Sequence, residues 1–161
     1  LIRNLDCKIS VVGNGPEFNS LKQLCISFKF NHVKFFGKLA NFDTLDIISR
    51  SVVCLVPSQC GDSYPTVALE SLSVGTPIVA SNLGGLPDIV NASLGGNLAD
   101  HDNNDSYLIN IKDLLNNRER AKQMGVNGIK YIKDNVNSEM QGRELLRIYS
   151  QVIENYRADR Q

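Results

Sequence analysis

Short, nearly unbroken apolar runs that alternate with helical segments constrain this chain more than any other feature. Lys8 to Val12, Val33 to Phe36, Val52 to Val56 and Pro77 to Ala80 are rich in Val, Ile and Phe. They do not alternate between apolar and polar residues, so each predicts a strand buried on both faces, as in the parallel sheets of α/β proteins. Between them lie Pro16 to Lys29, Phe42 to Arg50 and Pro65 to Val74, with helical spacing. The alternation predicts an α/β fold: a Rossmann-like parallel sheet with helices on both faces. Pro16 suits the first turn of a helix, Gly37 ends the second run, Gly75 closes the third helix, and Gly84-Gly85 follows the fourth strand. Leu94 to Leu98 reads as a short fifth strand, and helices are expected near 106–116, 118–134 and 138–157. In the last of these, Leu145, Tyr149, Val152 and Tyr156 form one apolar stripe, expected to pack on the sheet or on a neighbouring domain. With no linker or repeat, residues 1–161 read as one domain.

Charge and composition narrow the classes. Seventeen basic and seventeen acidic side chains cancel, which argues against a nucleic-acid partner. No stretch approaches the roughly 18 apolar residues of a membrane span. Leu1 opens no secretory leader, so the expected location is cytoplasmic, with any membrane contact peripheral to the inner face. Cys7, Cys25, Cys54 and Cys60 lack CxxC spacing and read as reduced thiols. His32 and His101 lie in polar, loop-like contexts and read as surface residues, and no His/Asp/Cys cluster suggests a metal.

In open parallel sheets, ligands bind outside the carboxyl ends of the strands. The loops there are 13–16, 37–41, 57–64 and 81–85. Gly13-Asn14-Gly15-Pro16 invites a dinucleotide reading, but Phe18 occupies the place of the third glycine and Gly37 stands where an acidic ribose ligand is needed. The loop from Pro57 to Tyr64 leads into a helix near Pro65, whose first-turn amides and dipole make a ready phosphate site. Thr66 and Glu70 share one face of that helix. Glu70 is the one charged group among Val67, Ala68, Leu69 and Leu72, and sugar hydroxyls would satisfy its two oxygens; a solvated edge carboxylate is the plainer alternative.

Asp62 and Glu70, separated by seven residues, resemble the acidic pair of retaining glycosyltransferases with the GT-B fold. Further segments resemble the same family (glycosyltransferase family 4-like, group 1) in order: Ile9 to Pro16, Val33 to Gly37, Leu55 to Ser58, Gly75 to Ser81 and Gly84 to Val90. The likeness runs from residue 7 to about 156 and identifies the chain as the C-terminal, nucleotide-sugar-binding half of such a fold.

The resemblance implies roles by position. Glu70 matches the ribose ligand, and Asp62 the residue that contacts donor-sugar hydroxyls. Ser63, Tyr64, Pro65 and Thr66 match the turn and helix start that cradle sugar and diphosphate, although Pro65 offers no amide. Lys38 and Leu39 match the main chain that reads the base, and Gly13 and Gly15 line the same crevice. The implied activity is retaining, metal-independent transfer of a hexose from a UDP- or GDP-sugar to a glycan or lipid acceptor, with no cofactor. Asp62 is a methylene shorter than the family's usual Glu, which leaves open a loop-packing role and a catalytically inactive binding module. A sugar-nucleotide epimerase or phosphorylase on the same fold is a further alternative. Leu1 to Leu5 look like the end of a helix, and no Arg–Lys pair matching the family's precedes Lys8. An N-terminal acceptor domain of the same parent chain is therefore expected, with these 161 residues alone binding the donor without turnover.

Overall fold

A computed structural model describes residues 5–158. Residues 1–4, where a helix end is expected, lie outside the described residues. The chain runs β1 (Ile9–Val12), α1 (Phe18–Ser27), β2 (Val33–Gly37), α2 (Asn41–Ser49), β3 (Cys54–Val56), α3 (Thr66–Ser73), β4 (Ile78–Ser81), α4 (Leu86–Ser93), β5 (Gly96–Ala99), α5 (Asn104–Asn116), α6 (Arg118–Asn135) and α7 (Ser138–Ala158). Every strand pairing is parallel, as a βαβ chain requires.

The expected single sheet is two. β1 pairs with β2, and β3–β4–β5 form a separate three-stranded sheet with β4 in the middle. β4 is buried along its whole length, and its side chains alternate between two cores. Ile78 and Ala80 join Val56, Ala68, Leu72, Leu86, Ile89 and Val90 beneath α3 and α4. Val79 faces the other way, with Ala99, Tyr107, Ile111, Leu114 and Ala121 beneath α5 and the start of α6. Helices therefore cover both faces of this sheet. Fully burying a side chain such as Leu72 or Leu114 contributes about 1.5–3 kcal/mol, so most of the fold's stability resides here.

The β1–α1–β2 unit is built differently. α1 has no buried residue, and Leu21, Leu24 and Ile26 are exposed on it. The α7 stripe does not pack on the sheet: Leu145, Tyr149, Val152 and Tyr156 are each exposed by half or more.

α4 is absent from the sequence expectation. Residues 81–85 read as loop and nothing was assigned to the segment after them, yet Pro87 lies in a first helical turn, where a missing N–H costs nothing, and Leu86, Ile89 and Val90 recur at helical steps into the core. Strand limits also shift. Val52 and Val53 precede β3 and pack in the second core without joining the ladder, and β4 runs one residue further, to Ser81. α5 starts at Asn104, two residues early, because the Asn103 side chain accepts from the Asp105 and Ser106 amides and caps it.

α6 lies close against α3. A Cβ on Gly125 would stand 2.1 Å from the Gly75 carbonyl oxygen, and one on Gly128 would stand 2.8 Å from the Leu72 side chain. Only glycines allow that approach. The contact fixes α3, and α3 carries the residues of interest.

Candidate functional site

The loops after the strands meet in pairs. After β1 and β2 the chain turns at two glycines with positive φ, Gly13 at 127° and Gly37 at 70°, and the Gly13 amide donates to the Gly37 carbonyl at 2.8 Å. Gly13 and Gly15 are exposed, and a Cβ on either would meet nothing within 4 Å, so the space over this turn is open to a ligand. Lys38 is exposed and Leu39 half-buried on the same loop, just before α2.

After β3 and β4 the approach is tighter. The Gly85 amide donates to the Asp62 carbonyl at 2.8 Å. A Cβ on Gly85 would lie 1.9 Å from the Ser63 carbonyl oxygen, and one on Gly84 would lie 2.5 Å from the Asp62 carbonyl oxygen. The two glycines thus seat loop 81–85 backbone to backbone against loop 57–64. Beneath them, the buried Ser81 hydroxyl donates to the Ser58 carbonyl at 2.7 Å and meets the Tyr107 hydroxyl at 2.7 Å.

Loop 57–64 delivers the chain to α3 with Pro65 buried at the cap and Thr66 as the first helical residue. No side chain caps α3, and no acidic residue occupies its first turn. Within the first turn the Ala68 amide already donates to the Pro65 carbonyl at 3.2 Å, so the Thr66 and Val67 amides and the positive end of the helix dipole, beside exposed Ser63 and Thr66, are what the helix offers an anion. The Tyr131 hydroxyl of α6 lies near Tyr64 and near Asp88 of α4. Burial first, then Tyr64, pushes the Tyr131 hydroxyl pKa up.

The two acidic residues differ. Asp62 is exposed, and its Oδ1 accepts from the Tyr64 amide at 3.1 Å, closing a local turn and leaving Oδ2 for a ligand. Glu70, half-buried on α3, accepts on Oε1 from Nδ2 of Asn41, the first residue of α2, at 3.2 Å. Cys54 lies alongside: burial raises its thiol pKa most, a hydrogen bond with Ser71 opposes this, and the Glu70 charge adds to the rise.

The structure therefore groups Gly13, Gly15, Lys38 and Leu39 on one joined pair of loops. Asp62, Ser63, Tyr64, Pro65 and Thr66 lie on the other pair and the start of α3, and Glu70 lies one turn further along α3. Asn41, Tyr131 and Gly85 were not singled out by sequence reasoning as site residues. Gly85 carried a visible signal in the glycine pair after β4, whereas Asn41 and Tyr131 meet the site only through tertiary contact. His32 is not the surface residue expected: it is half-buried beside the Phe30 ring, with Nε2 buried and unpartnered among the described residues. His101 is partly exposed and pairs with Asp102 at 3.0 Å.

Two hollows lie elsewhere. One, of about 360 Å³, is lined by residues of α1 and β2, including Lys22, Cys25 and Phe35; the other, of about 560 Å³, lies by Lys8, Asn31 and His32 at the start of β1 and β2. Both are open, and neither brings the acidic pair or the α3 amides together. The loop geometry therefore locates the site better than cavity size does.

The sequence model of the family described as "Glycosyl transferases group 1" matches residues 1–131. An uncharacterised glycosyltransferase of Methanocaldococcus jannaschii is 26% identical over 132 residues, covering 82% of this chain and 37% of that protein. The N-acetyl-alpha-D-glucosaminyl L-malate synthase of Bacillus anthracis is 25% identical over 154 residues, covering 95% and 40%. The chain thus spans about two-fifths of these relatives' length. Among solved structures, Anabaena HepE in complex with UDP superposes with a TM-score of 0.81 at 19% identity, covering 94% of this chain and 44% of that one. At that identity the likeness shows the fold: the α/β architecture is shared with GT-B glycosyltransferases. No described helix is long and apolar enough to cross a membrane.

Proposed function

Since this chain belongs to the group 1 glycosyl transferases, we propose that it holds a nucleotide diphospho-sugar for retaining transfer of a hexose to a glycan or lipid acceptor. The observation that carries this reading is the placement of α3. Its uncapped N-terminus faces exposed Ser63 and Thr66, Asp62 lies in the loop just before it, and Glu70 follows one turn along. A diphosphate on the helix start would bring a ribose toward Glu70 and a sugar toward Asp62.

In this scheme Glu70 accepts from the ribose hydroxyls, and the main chain at Lys38 and Leu39 contacts the base. Gly13 and Gly15 leave room for the phosphates, and the free oxygen of Asp62 contacts a sugar hydroxyl. As the bond from the anomeric carbon to the diphosphate oxygen breaks, negative charge grows on the leaving group. In this scheme the Thr66 and Val67 amides and the helix dipole meet that growing charge, which favours the transition state over the ground state. The donor is a UDP- or GDP-sugar, and HepE, which shares the fold, was solved with UDP. Metal-independent transfer is part of the same proposal, as is an acceptor-binding domain elsewhere in the parent chain. One observation favours a second reading, donor binding without transfer: Asp62 spends one carboxylate oxygen on its own loop.

Calorimetric titration with UDP, GDP, UDP-glucose and GDP-mannose tests the proposal. One nucleotide series should bind, and Glu70→Ala should weaken it by about tenfold or more, the loss expected when hydrogen bonds to a charged acceptor disappear. Equal binding by that variant would sink the ribose assignment.

A further inference from the structure

Resting on the reading of Glu70 as the ribose ligand, we propose that Asn41 is the positioning residue of that carboxylate, tying the nucleotide site to the start of α2. Asn41 Nδ2 donates to Glu70 Oε1 at 3.2 Å across 29 residues of sequence. Among the described residues this is the only hydrogen bond to the Glu70 side chain, and no Lys or Arg pairs with it. A glutamate has three rotatable side-chain bonds, and an unrestrained one must give up that freedom when a diol docks. The Asn41 amide removes much of it in advance. It is also a neutral donor that gives one hydrogen bond, so it orients the carboxylate without the competition an ammonium or guanidinium would bring to the ribose. Glu70 Oε2 and the second lone pair of Oε1 stay available for two hydroxyls.

The partner of Glu70 is itself held from both ends of its helix. Ala40, the cap residue, accepts at 3.0 Å from both the Thr44 amide and the Thr44 hydroxyl. At the other end the buried Thr76 hydroxyl donates to the Ile48 carbonyl at 2.8 Å, fixing α2 to the segment between α3 and β4. Asn41 is therefore presented from a fixed helix, as a side chain that preorganises another must be. Exposed and at a helix end, it carries little of the core's stability.

The test uses the full-length protein, calorimetry, and paired ligands: UDP and GDP against their 2′,3′-dideoxy counterparts. Asn41→Ala should weaken the ribonucleotide by about fivefold to tenfold, the usual range for one charge-assisted hydrogen bond at a partly exposed site. It should leave the dideoxy affinity unchanged, because that ligand makes no demand on Glu70. Asn41→Asp sets a second carboxylate within hydrogen-bond distance of Glu70. It offers Glu70 no donor and repels its carboxylate, so ribonucleotide binding should weaken further than in Asn41→Ala.

An equal loss on ribo- and dideoxy ligands would assign Asn41 a purely structural role and overturn the proposal, as would an Asn41→Asp protein that binds the ribonucleotide like wild type. If Glu70→Ala loses binding while Asn41→Ala does not, this inference fails and the ribose assignment stands. If wild type and Glu70→Ala bind alike, or neither nucleotide binds, the ribose assignment fails and this inference falls with it.

Discussion

Gly85→Ala isolates how far the site depends on one backbone contact. Gly85 has φ −83° and ψ −4°, values any residue adopts, so alanine adds no backbone strain there. The whole effect comes from the new methyl. It would stand 1.9 Å from the Ser63 carbonyl oxygen, where ordinary contact begins near 3.4 Å, a shortfall of about 1.5 Å. Moving loop 57–64 away by that much takes the Gly85–Asp62 hydrogen bond from 2.8 Å to beyond bonding range. Overpacking costs about 1–3 kcal/mol and the lost bond about 0.5–1.5 kcal/mol, so a destabilisation of about 2–4 kcal/mol is expected. For a domain of this size that lowers Tm by roughly 4–16 °C. Because the displaced residues are Asp62 and Ser63, UDP-sugar affinity should fall as well.

Gly61→Ala is the control. Its Cβ meets only the Gly84 Cα, at 3.8 Å, so Tm and affinity should hold. Thermal unfolding followed by calorimetric titration reads both quantities. A Gly85→Ala protein that melts within about 1 °C of wild type and binds unchanged would refute the view that the glycine pair sets the loop.

Two further outcomes follow from the packing and from burial. Gly125→Ala should lower Tm by a similar amount without altering residual ligand affinity, because its methyl would stand 2.1 Å from the Gly75 carbonyl oxygen at the far end of α3; urea midpoints give the value. Burial raises the Cys54 thiol pKa above that of the unfolded chain, so the protonated thiol stabilises the fold fully below about pH 8.5. That contribution is lost as pH climbs through the raised value. Unfolding midpoints should therefore decline toward pH 10 less steeply in Cys54→Val, and at pH 7 exposed Cys60 should be alkylated well before Cys54.

The strands were legible in sequence because a two-faced buried strand leaves an unbroken apolar run, and Ile78 to Ala80 is such a run in the middle of a sheet. α4 was not, because eight residues with a Pro in the first turn, after two glycines, carry turn signals as strong as their helical period. At the site, Glu70 stood out because a lone charge on an apolar helix face needs a partner. The partner found, Asn41, lies 29 residues away at the end of loop 37–41, and nothing in the sequence marked it within that loop, since a neutral side chain at a helix start serves equally well as surface. Tyr131 was hidden in the same way, by a contact that exists only once α6 lies against α3. The division into two sheets was hidden too, because a single strand's apolar run does not say which neighbour it bonds.

That division bears on how the site holds a ligand. Near the starts of the strands, Cys7 and Ile9 pack with Val52 and Val53 in the second core, which joins the β1–β2 unit to the larger sheet. At the ends of the strands, among the described residues, no hydrogen bond links the Gly13–Gly37 turn pair to the Asp62–Gly85 loop pair. The link there is Asn41 to Glu70. A nucleotide reaching from the Lys38–Leu39 main chain to the α3 amides would cross this seam, contacting both units where the protein itself makes one bond. The hydrogen bond that orients Glu70 thus joins the Thr76–Ile48 bond at the other end of α2 in tying that helix to the α3–β4 segment before a ligand arrives.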